Sequence, residues 1–264
     1  MIPGFLCHLW EQTARMPTFR GERSCTMILP AIRATFARSD ALHLVELLGK
    51  HDPELRERAH DRLVEHGIHS LLDDPRVLNA LLTDPQVTAS PALIFYVLVR
   101  QALLECGIDE PETADYVASM LLAFGSNRRA YQIGDGSGRE FNYLVDLLAE
   151  MESAGTRERF LLRVHLGDYS LWVSGLFPHY VAERLRRRGA PPLSYYEGMG
   201  ASGYSMAADS AEAERFGIDG VLMAMARQFT GLRIALNLIS DRYFWPGAGD
   251  PVERLLREVT GRAA

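Results

Sequence analysis

Four side chains that can carry protons or charge interrupt the most apolar stretch of the sequence, which spans residues 160–181. They are Arg163, His165, Asp168 and Tyr169. At helical spacing, His165 lies one turn from Asp168 and Tyr169, with Arg163 on an adjoining face. An aspartate beside a histidine fixes its tautomer and raises its basicity, as in many general-base pairs. The spacing therefore predicts a candidate catalytic cluster, if Gly167 does not interrupt the helix.

A structural network would leave the same pattern in the sequence. Polar groups buried without partners cost free energy, so these four must find partners in the core or line a site. In the structural interpretation, Asp168 needs a cation, and Arg163 and His165 are the nearest candidates. We expect the structural outcome, in which Asp168→Asn lowers stability by breaking a charge pair.

An arginine-rich segment follows the central stretch. Arg184, Arg187 and Arg188 predict an anion-binding site, with Tyr195 close behind as an aromatic surface that could stack on a ligand. The alternative is a helix C-terminus, where cations oppose the negative end of the helix dipole and Glu183 pairs with Arg187. Both interpretations stay open at this point.

Histidines concentrate near the N-terminus and suggest a metal site. Glu57 and His60 form an ExxH pair that one helix face would present together, and His60-Asp61 matches the HD pair of metal phosphohydrolases. His43 is the candidate upstream ligand. The sequence thus predicts a possible metal site at His43, Glu57, His60 and Asp61. A solvated, heavily charged helix face accounts for the same residues.

The elements that would position these residues all read as helices. No alternating strand pattern occurs, and the fold class predicted is all-α, an irregular bundle of about nine to eleven helices around a central apolar helix. Asp52-Pro53 and Ser90-Pro91 predict helix starts, and Gly67 predicts a helix end. The letters GxGxxG at 198–203 follow no strand, so they predict close helix packing rather than a dinucleotide turn.

Proline and glycine residues, together with changes in composition, divide the chain into three parts. Residues 1–26 read as an N-terminal arm or an overlong start, residues 27–88 as a small helical N-terminal segment, and residues 89–264 as the main helical domain. The three cysteines form neither a disulfide framework nor a CxxC metal motif, which favours a cytoplasmic protein. No apolar run approaches the roughly 18 uncharged residues of a membrane span.

The composition excludes some classes of function but does not identify one. The formal net charge of −6 over 264 residues gives no basic field for nucleic acid. We expect a non-catalytic helical protein that acts through binding or assembly, with a protein partner or a second copy of itself. One alternative is a hydrolase or small-molecule enzyme whose pocket is lined by Arg163, His165 and Asp168. Another is a metal-dependent phosphohydrolase using the 43–69 region. No particular cofactor is predicted.

Overall fold

The computed structural model describes residues 31–50, 52–83, 89–125 and 144–244. Within these ranges the chain forms thirteen α-helices and no strand, which confirms the predicted all-α class. The expected N-terminal arm, the expected boundary near residue 88 and the short helix expected after residue 250 lie outside the described residues.

Four helices form the N-terminal part of the described chain. They follow a single 3-10 turn at Arg33–Thr35 and are α1 (Arg38–Leu48), α2 (Pro53–His66), α3 (His69–Leu72) and α4 (Pro75–Thr83). Helix α4 packs against the first helix of the larger bundle, so apolar side chains of both parts belong to one continuous core.

Nine helices from residues 89–125 and 144–244 form the larger bundle. They are α5 (Pro91–Glu105), α6 (Pro111–Gly125), α7 (Leu144–Ser153), α8 (Thr156–Leu176), α9 (Pro178–Arg188), α10 (Leu193–Ala208), α11 (Ala211–Phe216), α12 (Asp219–Arg227) and α13 (Phe229–Ile239), with a π-helical turn at Ser240–Phe244. The total exceeds the expected nine to eleven. One reason is that the last apolar segment, read as a single helix, breaks at Gln228 into α12 and α13.

Local sequence signals set several helix ends as predicted. The Asp52 side chain accepts a hydrogen bond from the Leu55 amide at 3.0 Å, and the Ser90 hydroxyl accepts one from the Leu93 amide at 3.2 Å. Each cap is followed by a proline at the first helical position, where a missing N–H costs nothing. Helix α2 ends at Gly67, whose φ of 74° lies in the left-handed region that glycine adopts readily.

Helix α8 is the central helix. It is buried along most of its length, and it packs mainly against α10 and α13, with further contacts to α7, α9 and α11. Gly167 does not interrupt it. Leu171, Trp172 and Leu176 are core residues as expected, whereas Phe177 is only half-buried because it caps the helix end.

Glycines let α8 and α10 approach closely, as the small residues of 198–203 predicted. A Cβ at Gly203 would lie 2.8 Å from the Arg163 carbonyl oxygen, and one at Gly167 would lie 2.5 Å from the Tyr204 ring. Backbone and ring leave no room for a methyl group at these positions. This close packing fixes which side chains of the two helices can meet.

A buried ion pair joins α10 to α13. The Arg233 guanidinium donates to Glu197 at 2.7 Å and to the Asn237 side chain at 2.6 Å, and Arg233 is only 2% exposed. Asn237 in turn donates to the Ser174 carbonyl at 3.0 Å, near the end of α8. The network therefore ties three helices together by charge-assisted hydrogen bonds.

No helix within the described ranges is both long and apolar enough to cross a membrane.

Candidate functional site

Asp168 lies in a buried hydrogen-bonded cluster that joins three helices. Its Oδ1 atom accepts one hydrogen bond from the Tyr116 hydroxyl of α6 at 3.1 Å and one from the Tyr204 hydroxyl of α10 at 2.8 Å. The two tyrosine rings meet edge to face, with centroids 6.3 Å apart. All three side chains are buried, so the cluster holds α8 against α6 and α10 inside the core.

Burial governs the ionisation of this cluster. It raises the pKa of Asp168 to about 7, although the two hydroxyl donors stabilise the carboxylate and lower that pKa. Burial also raises the pKa of Tyr116 and of Tyr204 well above the ordinary range, and the nearby Asp168 charge adds to the effect. The tyrosines therefore remain protonated donors at neutral pH, while Asp168 exchanges a proton near neutrality.

His165 does not form the expected pair with Asp168. Its ring lies between Phe124, at a centroid distance of 5.8 Å, and Tyr169, at 6.2 Å. Within the described part of the chain, its Nε2 atom has no hydrogen-bond partner. Burial lowers the pKa of His165 to about 4, so the imidazole is neutral at pH 7. The general-base pair predicted from the spacing is therefore not assembled.

Arg163 also turns away from Asp168. Its guanidinium donates to the Met206 carbonyl oxygen at 3.1 Å, towards the end of α10. The predicted Arg163–Asp168 ion pair is wrong, because two tyrosines supply the hydrogen bonds that a cation was expected to supply. The structural interpretation of the cluster survives with different partners.

Tyr169 of the predicted cluster lines a cleft between described residues. It forms part of a cleft of about 110 Å³ between α7, α8, α9 and α10. The described residues that line the cleft are Leu144, Val145, Tyr169, Arg184, Pro191, Tyr195 and Tyr196. These side chains present mostly carbon, with three phenol hydroxyls and one guanidinium as the polar groups.

Arg184 lies near aromatic rings at the edge of this cleft. Its guanidinium carbon lies 5.4 Å from the centroid of the Tyr180 ring, within the range of a cation–π interaction. Tyr195 and Tyr196 meet edge to face with centroids 5.9 Å apart. Burial raises the pKa of Tyr196, and the positive charge of Arg184 opposes that rise. Among the described residues, the cleft therefore combines apolar walls with three phenol side chains and one guanidinium.

The other two predicted anion-binding residues lie away from the cleft. Arg187 forms an ion pair with Glu183, which also accepts from Arg186 at 2.8 Å and 3.1 Å. Arg188 is exposed at the end of α9. These residues behave as a basic helix C-terminus, as the alternative interpretation held.

The predicted metal ligands do not form a metal-binding group. Glu57, His60 and Asp61 are exposed on α2, whereas His43 is half-buried on α1. Across the described ranges, no group of three or more histidine, cysteine, aspartate and glutamate side chains is placed to hold a metal ion. The exposure of Glu57, His60 and Asp61 is what the alternative interpretation, a solvated and charged helix face, predicts.

Tyr116, Arg233 and Asn237 are among the buried polar residues that sequence reasoning missed. Tyr116 was overlooked because a single tyrosine in an apolar helix gives no sign of its distant partner. Arg233 and Asn237 carried a usable signal, since they stand four residues apart inside the apolar run of α13. The same logic that singled out the central helix would have identified them.

Comparison of the chain with known protein families, with curated protein sequences and with solved structures found no match.

Proposed function

We propose that the protein is a non-catalytic binding protein that holds a small, largely apolar molecule in the cleft between α7, α8, α9 and α10. The observation that supports this proposal is the composition of the cleft at its volume of about 110 Å³. Since an apolar cavity of roughly 150 Å³ holds benzene, this smaller cleft takes a ligand of at most about one ring, with any polar end reaching towards the mouth. Carbon-rich walls with a few polar groups are typical of small-molecule sites.

The placement of the predicted catalytic residues favours binding over catalysis. Only Tyr169 among them belongs to the cleft, whereas Asp168 and His165 are buried in the core. A general base has to reach the proton that it removes, directly or through one water. The described lining offers phenols and a guanidinium, which recognise a ligand more readily than they activate one.

The expected affinity follows from ligand size. A molecule of roughly nine non-hydrogen atoms at about 0.5 kcal/mol per atom gains about 4.5 kcal/mol, which corresponds to a Kd somewhat below about 1 mM. Ligand-observed NMR detects binding of this strength. A fragment set of neutral and anionic aromatic and branched aliphatic molecules therefore tests the proposal.

Two valine variants make the test specific to the cleft. Val145 lines the cleft and is 61% exposed, so Val145→Trp fills the space without disturbing the core. Val64 on α2 is equally suitable as a control, because it is 71% exposed and remote in sequence from the cleft. Fragments should bind the wild-type protein and Val64→Trp and should lose binding to Val145→Trp. The absence of any binder, or equal binding to Val145→Trp, would contradict the proposal.

A further inference from the structure

We propose that Glu110, Thr113 and Gln228 bind a monovalent metal cation, Na⁺ or K⁺, where α6 begins and α12 ends. None of these residues belongs to the described lining of the cleft. The cation site is therefore independent of the proposed small-molecule site.

The packing of α6 against α12 brings the three side chains together. The Gln228 amide nitrogen donates to Glu110 Oε1 at 2.7 Å, although 118 residues separate the two along the chain. Thr113 follows Glu110 by three residues and so lies on the same face of the α6 start. Helical side chains lean towards the N-terminus of their helix, which inclines Thr113 towards Glu110.

Three buried oxygen atoms at this place have no hydrogen-bond partner within the described ranges. They are Glu110 Oε2, Thr113 Oγ1 and Gln228 Oε1. The carboxylate and amide oxygens belong to the same two groups that form the Glu110–Gln228 hydrogen bond, and Thr113 is only 1% exposed. Oxygens buried in this way cost free energy unless a donor or a cation reaches them.

The charge at this place favours a cation over a water molecule. The nearby Glu112 carboxylate is paired with Arg33. The partner of Glu110 among the described residues is instead the neutral Gln228 amide. A water molecule has only two hydrogens to donate to three oxygens, and it leaves the Glu110 charge uncompensated. Carboxylate, amide and hydroxyl oxygens are typical ligands of hard cations.

The same ligands favour one positive charge rather than two. Among the described residues, no group of three or more histidine, cysteine, aspartate and glutamate side chains surrounds such a site, so Glu110 is joined by neutral ligands. The affinity of calcium sites depends on the number of charged ligands, and a divalent ion beside one carboxylate would keep one charge without a partner. The positive ends of α6 and α13 oppose a cation and the negative end of α12 favours one, so the helix dipoles do not supply the missing negative charge.

Thermal unfolding in different chloride salts tests the proposal. NaCl, KCl and tetramethylammonium chloride are compared at one pH and one ionic strength, because tetramethylammonium is too large to take the place of a bare metal ion. At a cation concentration about ten times the Kd, NaCl or KCl should raise the melting temperature by about 3–5 °C above that in tetramethylammonium chloride. Equal melting temperatures in the three salts would overturn the proposal. A shift produced by millimolar CaCl₂ or MgCl₂, and not by NaCl or KCl, would overturn the monovalent assignment.

Two substitutions remove one ligand each. Glu110→Gln removes the charge and Thr113→Val removes the hydroxyl at nearly constant volume, so each should abolish most of the difference between the salts. Thr113→Val should also be at least as stable as wild type in tetramethylammonium chloride, because it removes a buried hydroxyl that has no partner there. If Glu110→Gln does not fold, Thr113→Val carries the test.

Glu112→Gln is the matched control. Glu112 lies in the same turn as Thr113, but its side chain is 58% exposed and it pairs with Arg33. The variant should keep the full difference between the salts, because an exposed carboxylate contributes little to a buried site. Loss of the difference in Glu112→Gln would indicate a general salt effect and overturn the proposal, as would an unchanged difference in Glu110→Gln or Thr113→Val.

Discussion

Replacement of Asp168 by asparagine tests how the buried cluster contributes to stability. The pKa of Asp168 is about 7 in the folded protein, against an ordinary value of 3.8, because burial disfavours the carboxylate. Between these pH values the folded state binds more protons than the unfolded state. The free energy of unfolding therefore falls as pH rises through this window, by about 4 kcal/mol at ~1.4 kcal/mol per tenfold change in proton affinity.

Asparagine cannot ionise, yet its carbonyl oxygen still accepts hydrogen bonds from Tyr116 and Tyr204. The stability of Asp168→Asn relative to wild type should therefore increase by about 4 kcal/mol from below pH 4 to above pH 7. At acid pH the variant should be less stable by roughly 1–3 kcal/mol, since its buried amide N–H₂ needs acceptors. Above neutrality it should become the more stable protein, unlike the loss expected from a broken ion pair.

His165 provides the opposite control. Burial lowers its pKa to about 4 from an ordinary value of 6.5, so the folded state binds fewer protons in that window. The neutral imidazole contributes fully to the free energy of unfolding above pH 6.5. This contribution decreases by about 3 kcal/mol as pH falls to about 4. In wild type the two contributions nearly cancel. In Asp168→Asn the free energy of unfolding should therefore rise with pH, because only His165 contributes. In His165→Phe it should fall with pH, because only Asp168 contributes.

Chemical denaturation followed by circular dichroism, at pH values from about 3 to about 8, measures all three profiles. The differences between variants remove the contribution of every other titrating group. Parallel profiles for wild type and Asp168→Asn would refute the reasoning, because they would show that Asp168 has the same proton affinity in the folded and unfolded states.

Four further substitutions test the packing by the same denaturation assay. Gly203→Ala should destabilise by about 1–3 kcal/mol, because the added methyl group meets the α8 backbone. Gly198→Ala, which meets nothing within 4 Å, should instead stabilise by about 0.5–1 kcal/mol, and equal effects would contradict the close approach. Arg233→Met should cost about 3–5 kcal/mol by breaking the buried pair with Glu197, and a neutral result would show that the pair is dispensable. Trp172→Ala should cost about 3–5 kcal/mol, and a loss below about 1 kcal/mol would contradict its core position.

Periodicity and helix-end signals in the sequence were enough to predict the fold class. Asp52-Pro53, Ser90-Pro91 and Gly67 act locally, since each satisfies or ends backbone hydrogen bonds within a few residues. The small residues of 198–203 also predicted close packing. A helix face without large side chains lets another helix approach closely, whichever part of the chain that helix comes from. The break at Gln228 was not predictable, since residues on both sides of it continue the apolar pattern.

The candidate site was predictable only in part. The pattern showed that Asp168 is buried and must have hydrogen-bond partners, and the structure confirms both points. It could not identify those partners, because Tyr116 and Tyr204 are 52 and 36 residues away and reach Asp168 only through helix packing. The cleft could not be predicted for the same reason, since Val145 and Arg184 come together only in the folded chain.

The expectation of a protein partner or of self-association stays a prediction. Analytical ultracentrifugation of the purified chain addresses it directly. A concentration-dependent shift from monomer to dimer would support assembly, and a single monomeric species at every concentration would count against a second copy as the partner.

NMR of the protein labelled at its tyrosine rings tests the central claim most directly. The chain has ten tyrosines, of which Tyr169, Tyr195 and Tyr196 line the cleft, while Tyr116 and Tyr204 lie in the buried cluster. Titration with a fragment that binds the wild-type protein should shift the ring resonances of the three cleft tyrosines in a saturable manner and leave those of the two core tyrosines unchanged. Shifts confined to other tyrosines, or no saturable shift at all, would contradict the assignment of the cleft as the binding site.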